Sequence, residues 1–452
     1  MATAIRAKEV SAVELVEAHL DQIERVNRSL NAVVQLCAER AMAEAKAADN
    51  SPPIGPLHGI PITLKDSIDT ADIITTYGTL GRRQFIPAQD ATVAKRLRDA
   101  GAIVLGKTNT PEFTFGGECD NPVYGKTFNP YKLTHSPGSS SGGSAAIVAA
   151  GGATFDLGSD TGGSIREPAN YCGLAGIKPT AGRIPRTGHA VPFGVGATDL
   201  LTTIGPIARS VADLELVLRT IAGPDGVDYT VVSQDLPDSA SKLPTNLRIA
   251  MYTDGGLGEI DPAVRDTLQA VADSLANAGA TIVPATPPML DQAWAIHGWL
   301  IAIDGAEWLG RLIDKAGTEV VGDNLRQVLF SSYEKDLPTT NTILTTAADL
   351  RAKAWSWLQA YDAILCPVNV QPAVPHGQTL TWDAAKSEGW GHLSYYNLTG
   401  YPAGTVRAGT AADGLPIGVQ IVAHPWREDM VFTILRHIEA TFGGYQPPGR
   451  IR

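Results

Sequence analysis

The spacing of apolar residues predicts a chain in which strands and helices alternate. Ser11-Ala-Val-Glu14 has the form of a capping box, and Val13, Leu15, Val16, Leu20 and Ile23 follow on one helical face. Gly59 to Asp66 reads as a short buried strand that ends in charge at Lys65 and Asp66. Asp90 is expected to cap a helix running to Ala100, and Ile103 to Gly106 to form the next strand. Ala145 to Ala150 reads as a packed helix and Ala153 to Leu157 as a buried strand. Asp261 to Ala278 is strongly periodic and helical, Tyr361 to Pro367 and Ile417 to Ala423 read as core strands, and Glu428 to Phe442 as a closing helix. Strand, helix, strand in this order predicts an α/β fold, a sheet covered by helices. Residues of about 223–350 are poorer in glycine and read as a mostly helical insertion on the substrate side of one extended domain, 1–452.

Composition narrows the class. With 452 residues, 44% hydrophobic and 18% charged, the chain can bury a sizeable core. The net charge of −11 predicts no phosphate-seeking face and therefore no nucleic-acid partner. No apolar run reaches the about 18 residues of a spanning helix, so no membrane partner is expected. Met1 to Val10 contains Arg6 and Lys8 but no apolar stretch, which is unlike a secretory signal. Cys37, Cys119, Cys172 and Cys366 are isolated, without a C-x-x-C pair. That spacing fits neither a disulfide framework nor a zinc site, and it suits a reducing, cytoplasmic location.

Three segments offer chemistry. Lys65 follows Pro61-Ile-Thr-Leu64 at a strand end; exposed it would be a rim residue, whereas buried it would lose its proton easily and serve as a base. Gly138-Ser-Ser-Ser-Gly-Gly-Ser144 opens an apolar helix and also matches G-x-S-x-G around Ser140, the pattern of a nucleophile elbow. In Gly158-Ser-Asp-Thr-Gly-Gly-Ser164-Ile-Arg-Glu-Pro168, consecutive N–H groups at Thr161, Gly162, Gly163 and Ser164 have the spacing to converge on one oxyanion. A lone G-G-S would more simply be a structural turn.

Together these segments resemble the amidase signature family, in its order and spacing. Leu57 to Asp66, Leu105 to Asn109, Pro111 to Phe113, Gly173 to Thr180, Thr203 to Pro206, Asn397 to Pro402 and Gly414 to Gln420 extend the resemblance over nearly the whole chain. It implies a single α/β/α domain around a large, mixed, twisted sheet. It further implies Ser164 as nucleophile, Ser140 as a proton relay following a cis peptide bond, and Lys65 as base. The backbone of Thr161 to Ser164 would be the oxyanion hole, with no metal or cofactor. Ser141 and Glu167 are expected to bind substrate.

Two positions depart from the family pattern: Ser139 stands where Gly is usual, and Glu167 precedes Pro168. A carboxylate at Glu167 would repel anions, so the expected substrate is a small neutral or amine-bearing amide, an anilide or a carbamate (urethane), taken by a monomer or homodimer. Trp294, Trp299, Trp308 and Tyr333 are expected mainly in the core, some of them capping the site. Two rivals stand beside this reading. One is a Ser-His-Asp esterase using Ser140 with His189, His297, His376, His392, His424 or His437. The other is a role like that of the A subunit of a tRNA-dependent amidotransferase.

Overall fold

The computed structural model describes residues 1–330, 336–379 and 389–449; Tyr333 lies outside them. Its strands are β1 (Val33–Leu36), β2 (Pro61–Lys65), β3 (Ile103–Thr108), β4 (Phe155–Asp160), β5 (Ala175–Lys178), β6 (Thr203–Ala208), β7 (Arg248–Met251), β8 (Thr281–Pro284), β9 (Ala363–Pro367), β10 (Ala403–Thr410) and β11 (Pro416–Ala423). Among the described residues they form one mixed sheet in the order β1-β3-β2-β4-β6-β5-β10-β11-β9-β7-β8. β2 pairs parallel with both β3 and β4, whereas β10 and β11 form an antiparallel ladder.

Alternation along the strands assigns the two faces. Ile62 and Leu64 of β2, Phe155 and Leu157 of β4, and Ile417, Val419 and Ile421 of β11 pack into one core with the helices Thr92–Asp99, Val211–Ile221, Pro262–Asn277 and Glu428–Phe442. Residues pointing the other way, such as Ile103, Leu105 and Ile207, meet the helices Ala12–Leu30, Ala38–Asp49 and Gly142–Ala149. Ala250, Ile364 and Cys366 meet Ala293–Ile301 and Leu337–Leu358. Both faces are covered, the α/β/α arrangement. No helix among the described residues is long and apolar enough to cross a membrane.

The capping box is present: Glu14 N donates to Ser11 Oγ (3.1 Å), and Ser11 N to Glu14 Oε2 (2.8 Å). Three expectations change. Asp90 does not cap the helix that follows; the helix begins after Ala91, and the carboxylate instead accepts from Ala71 N (2.7 Å) and Arg98 Nη1 (3.0 Å). The strand predicted to stop at Gly106 runs on to Thr108, because Lys107 donates to Thr70 Oγ1 (2.7 Å) and Thr108 to Asp156 Oδ2 (3.0 Å), so both polar side chains are satisfied inside. Residues 223–350 are not only helical: β7 and β8 extend the sheet and Pro262–Asn277 covers it. Each of those strands spans four residues, with Arg248, Thr281 and Pro284 exposed, which leaves little pattern to read.

Candidate active site

The parallel neighbours β2 and β4 deliver the site from their carboxyl ends, where ligands of α/β sheets commonly bind. β2 ends at Lys65, whose side chain is fully buried. Its Nζ lies 2.7 Å from Ser140 Oγ, 3.0 Å from Ser141 Oγ and 3.1 Å from Ser159 Oγ. Burial pushes the amine down to about 7, although Cys119, Asp156 and Asp160 pull the other way. A neutral amine has two N–H donors and one lone pair, so three hydroxyls satisfy it completely.

Ser140 follows a cis peptide bond from Ser139 and lies one residue before Ser141, the N-cap of the helix Gly142–Ala149. Ser139, the departure from glycine, is accommodated because its hydroxyl donates to Gly116 O at 2.7 Å. β4 comes close to this loop because it carries glycine there: a Cβ at Gly158 would meet Ser141 Oγ at 2.7 Å.

Beyond β4 the chain turns through Thr161 to Ile165. Ser164 is half-buried; its carbonyl accepts from Ser141 N at 3.2 Å, which fixes the two serine loops side by side. Its hydroxyl makes no hydrogen bond among the described residues, so Ser140 and Ser164 are neighbours without a direct bond between them. Gly163 has φ of +129°, a region disfavoured for other residues, and an added Cβ would lie 2.5 Å from Leu393 Cδ1.

This turn hangs on Asp160. Its carboxylate accepts from Gly163 N (2.8 Å), Ile165 N (3.1 Å), Arg166 Nε (3.0 Å), Arg166 Nη2 (2.9 Å) and Asn397 Nδ2 (2.9 Å). Burial would raise its pKa, but the Arg166 charge and these bonds outweigh that and hold it well below the usual carboxylate range. Arg166 in turn donates to Leu393 O (3.0 Å), Gln420 Oε1 (2.8 Å) and Asn397 Oδ1 (2.7 Å).

Several expected roles are revised by this geometry. Gly163 N–H is committed to Asp160, so it leaves the expected oxyanion set; the N–H groups of Thr161, Gly162 and Ser164 make no hydrogen bond among the described residues. Ser141, expected to bind substrate, is buried and its hydroxyl is turned to Lys65. Glu167 is not a surface charge either. It is 4% exposed beneath the serine loop, accepting from Ser139 N (3.1 Å) and Asn369 Nδ2 (3.3 Å). Burial pushes its carboxyl up to about 8, so it is protonated at neutral pH. Glu167→Gln is therefore expected to leave the rate ratio between acidic and neutral amides within about twofold at pH 7, because both side chains are uncharged there. A tenfold change in that ratio would restore the charged role.

None of the six histidines considered as a base is hydrogen-bonded to Ser140 or Ser164 among the described residues. His189 meets Ser67 Oγ, His297 meets Thr161 O, and His376 meets Glu118. His392 stacks on Tyr252, His424 meets Tyr361 O, and His437 lies by Ser274 Oγ. The Ser-His-Asp arrangement is therefore not built around Ser140, whose hydroxyl is engaged by Lys65. Of the residues that sequence reasoning passed over, Ser159 sits just before the G-G-S turn, and Asp160 and Arg166 flank it. Asn397 and Gln420 fall within segments already noted as landmarks. His297 was weighed only as a rival base, and nothing local in the sequence points to its contact with Thr161 O.

The family model described as Amidase matches residues 14–432. The chain is 35% identical to an indoleacetamide hydrolase of Bradyrhizobium diazoefficiens, over 98% of this chain and 86% of that protein. It is 34% identical to the A subunit of a glutamyl-tRNA(Gln) amidotransferase from Synechococcus sp. (strain CC9605), over 96% of this chain and 94% of that protein. Among solved structures, a substrate complex of 6-aminohexanoate cyclic dimer hydrolase superposes with a TM-score of 0.87 at 26% identity, covering 100% of this chain and 98% of that one. Sequence and fold agree over nearly the full length, and the chain belongs to the amidase signature family of hydrolases, enzymes that act on amides.

Proposed function

We propose that this chain is a free-standing serine amidase for small neutral amides, with aryl amides, anilides and carbamates as the substrate class. The observation that carries this reading is the buried Lys65 amine bonded to Ser140, on a loop joined by its backbone to Ser164. Neutral Lys65 takes the proton of Ser140, and Ser140 takes that of Ser164. Ser164 Oγ then attacks the carbonyl carbon, and its oxygen develops negative charge toward the N–H groups of Thr161, Gly162 and Ser164. The relay runs backwards to protonate the leaving amine, and water hydrolyses the acyl-enzyme. The missing Ser140–Ser164 bond is compatible with this sequence, since catalytic bonds often tighten only with substrate.

The substrate class rests on the walls beside the turn. Trp294, Val368, Trp390 and Leu393 form one buried apolar cluster, and Leu393 abuts Gly163. Such a surface favours an uncharged, apolar or aromatic group. The four cysteines are free, which suits a cytoplasmic enzyme.

A second reading, the A component of an amidotransferase, is favoured by the 34% identity to such proteins. The net charge of −11 weighs against a tRNA partner; Glu167, being neutral, carries no weight either way. The purified single chain is to be offered chromogenic anilides, carbamates, esters, primary amides and an amino-acid amide, with released amine and acid measured. Turnover of anilides or carbamates supports the proposal. Turnover of the amino-acid amide alone, or no turnover without a second protein, supports the other reading.

A further inference from the structure

The Thr161–Gly162 peptide begins the turn that carries Ser164. A trans peptide is planar, so its carbonyl and its N–H point in opposite directions. The Thr161 carbonyl lies 2.8 Å from His297 Nε2. A carbonyl only accepts, so Nε2 carries the ring proton and donates it. At the other end of the same peptide, Gly162 N–H makes no hydrogen bond among the described residues. The ring sits directly against this peptide: a Cβ at Gly162 would come within 3.2 Å of His297 Cε1.

His297 is itself held in place. It is 1% exposed on the helix Ala293–Ile301 and stacks on Trp294, with centroids 5.5 Å apart and planes at 11°. Trp294 packs on Trp390 at 5.3 Å. Burial pushes the imidazole down to about 4, so it stays neutral throughout the working range. With its only proton spent on the Thr161 carbonyl, and with no bond to either serine, the ring is not in a position to act as the base.

We infer that His297 is a positioning residue for the oxyanion site: by fixing the Thr161 carbonyl it turns Gly162 N–H toward the substrate oxygen beside Ser164. The hydrogen bond at the carbonyl also polarises the peptide and strengthens its N–H as a donor. Thus the helical part of residues 223–350, through His297, orients a backbone group of the core.

This inference rests on the proposed role of Ser164. The test uses the whole enzyme with an anilide substrate, together with an aldehyde inhibitor that forms a tetrahedral adduct on a serine nucleophile. His297→Ala is expected to lower kcat by on the order of 10²-fold, as loss of one oriented oxyanion donor does. KM should stay within about threefold, and adduct affinity should fall in parallel with kcat. His297→Gln, which keeps an N–H at similar reach, is expected to recover most of both. If alanine collapses the packing against Trp294, His297→Met fills the space without a donor, and the comparison of methionine with glutamine decides. An unchanged kcat, a loss confined to KM, or equal losses in glutamine and methionine with unchanged adduct affinity overturns the inference. Ser164→Ala separates the two levels. Persisting turnover in that variant sinks the catalytic reading itself, whereas an inactive Ser164→Ala beside a fully active His297→Ala sinks only this one.

Discussion

Lys65→Met is expected to lower kcat/KM at pH 8 by on the order of 10³-fold or more, the scale of losing a general base that also drives a nucleophile. The reason is that, among the described residues, Lys65 is the one ionisable amine in contact with the relay, 2.7 Å from Ser140 Oγ. Its pH dependence has a definite sign. Only the neutral amine accepts a proton, and burial sets its pKa at about 7. Wild-type kcat/KM should therefore rise about tenfold per pH unit below 7 and level off above it. Lys65→Arg keeps a charge that cannot be lost and should be equally inactive. Rate profiles of the three proteins from pH 5 to 9 check this. Residual activity in Lys65→Met that keeps the same acid limb would assign that limb to another group.

Arg166→Met is expected to destabilise the fold by about 3–5 kcal/mol, the range for breaking a buried ion pair by removing one partner. Arg166 and Asp160 are both fully buried, and the guanidinium also ties Leu393, Asn397 and Gln420 to the turn. The variant leaves Asp160 without its counter-charge, so burial then raises the carboxyl pKa instead of being outweighed. A raised carboxyl binds a proton more readily in the folded state, so the variant loses stability as pH rises. The deficit relative to wild type should thus be largest at neutral and alkaline pH and shrink toward pH 4. Urea unfolding at pH 4.5 and 7.5 measures it. A loss below about 1 kcal/mol, or one that grows as pH falls, contradicts this account of the turn.

How far the sequence reveals these features depends on how local their causes are. The helix Glu428–Phe442 was legible to the residue, since its acidic first turn and apolar face are both contained in it. The capping box at Ser11 and the strand ending at Lys65 are local in the same way. β7 and β8 were not legible, because four-residue strands with exposed ends carry too little periodicity. The serine and lysine segments stood out as a resemblance, but their roles depend on contacts that no spacing encodes. Glu167 looks like a charge until the Ser139 backbone and Asn369 are seen to enclose it. Ser141 reads as a substrate binder until its hydroxyl is found on the same amine as that of Ser140. The aromatics divide similarly: Trp308 is core and Trp299 is 45% exposed, while Trp294 reaches the site through His297.

Trapping the acyl-enzyme tests the assignment of Ser164 as nucleophile. Acid-quenched mixing with an activated aryl amide or ester, followed by peptide mass spectrometry, locates the acyl group. An acyl increment is expected on Ser164, absent from Ser164→Ala and strongly slowed in Lys65→Met. An acyl group on Ser140, or steady turnover by Ser164→Ala, would contradict it.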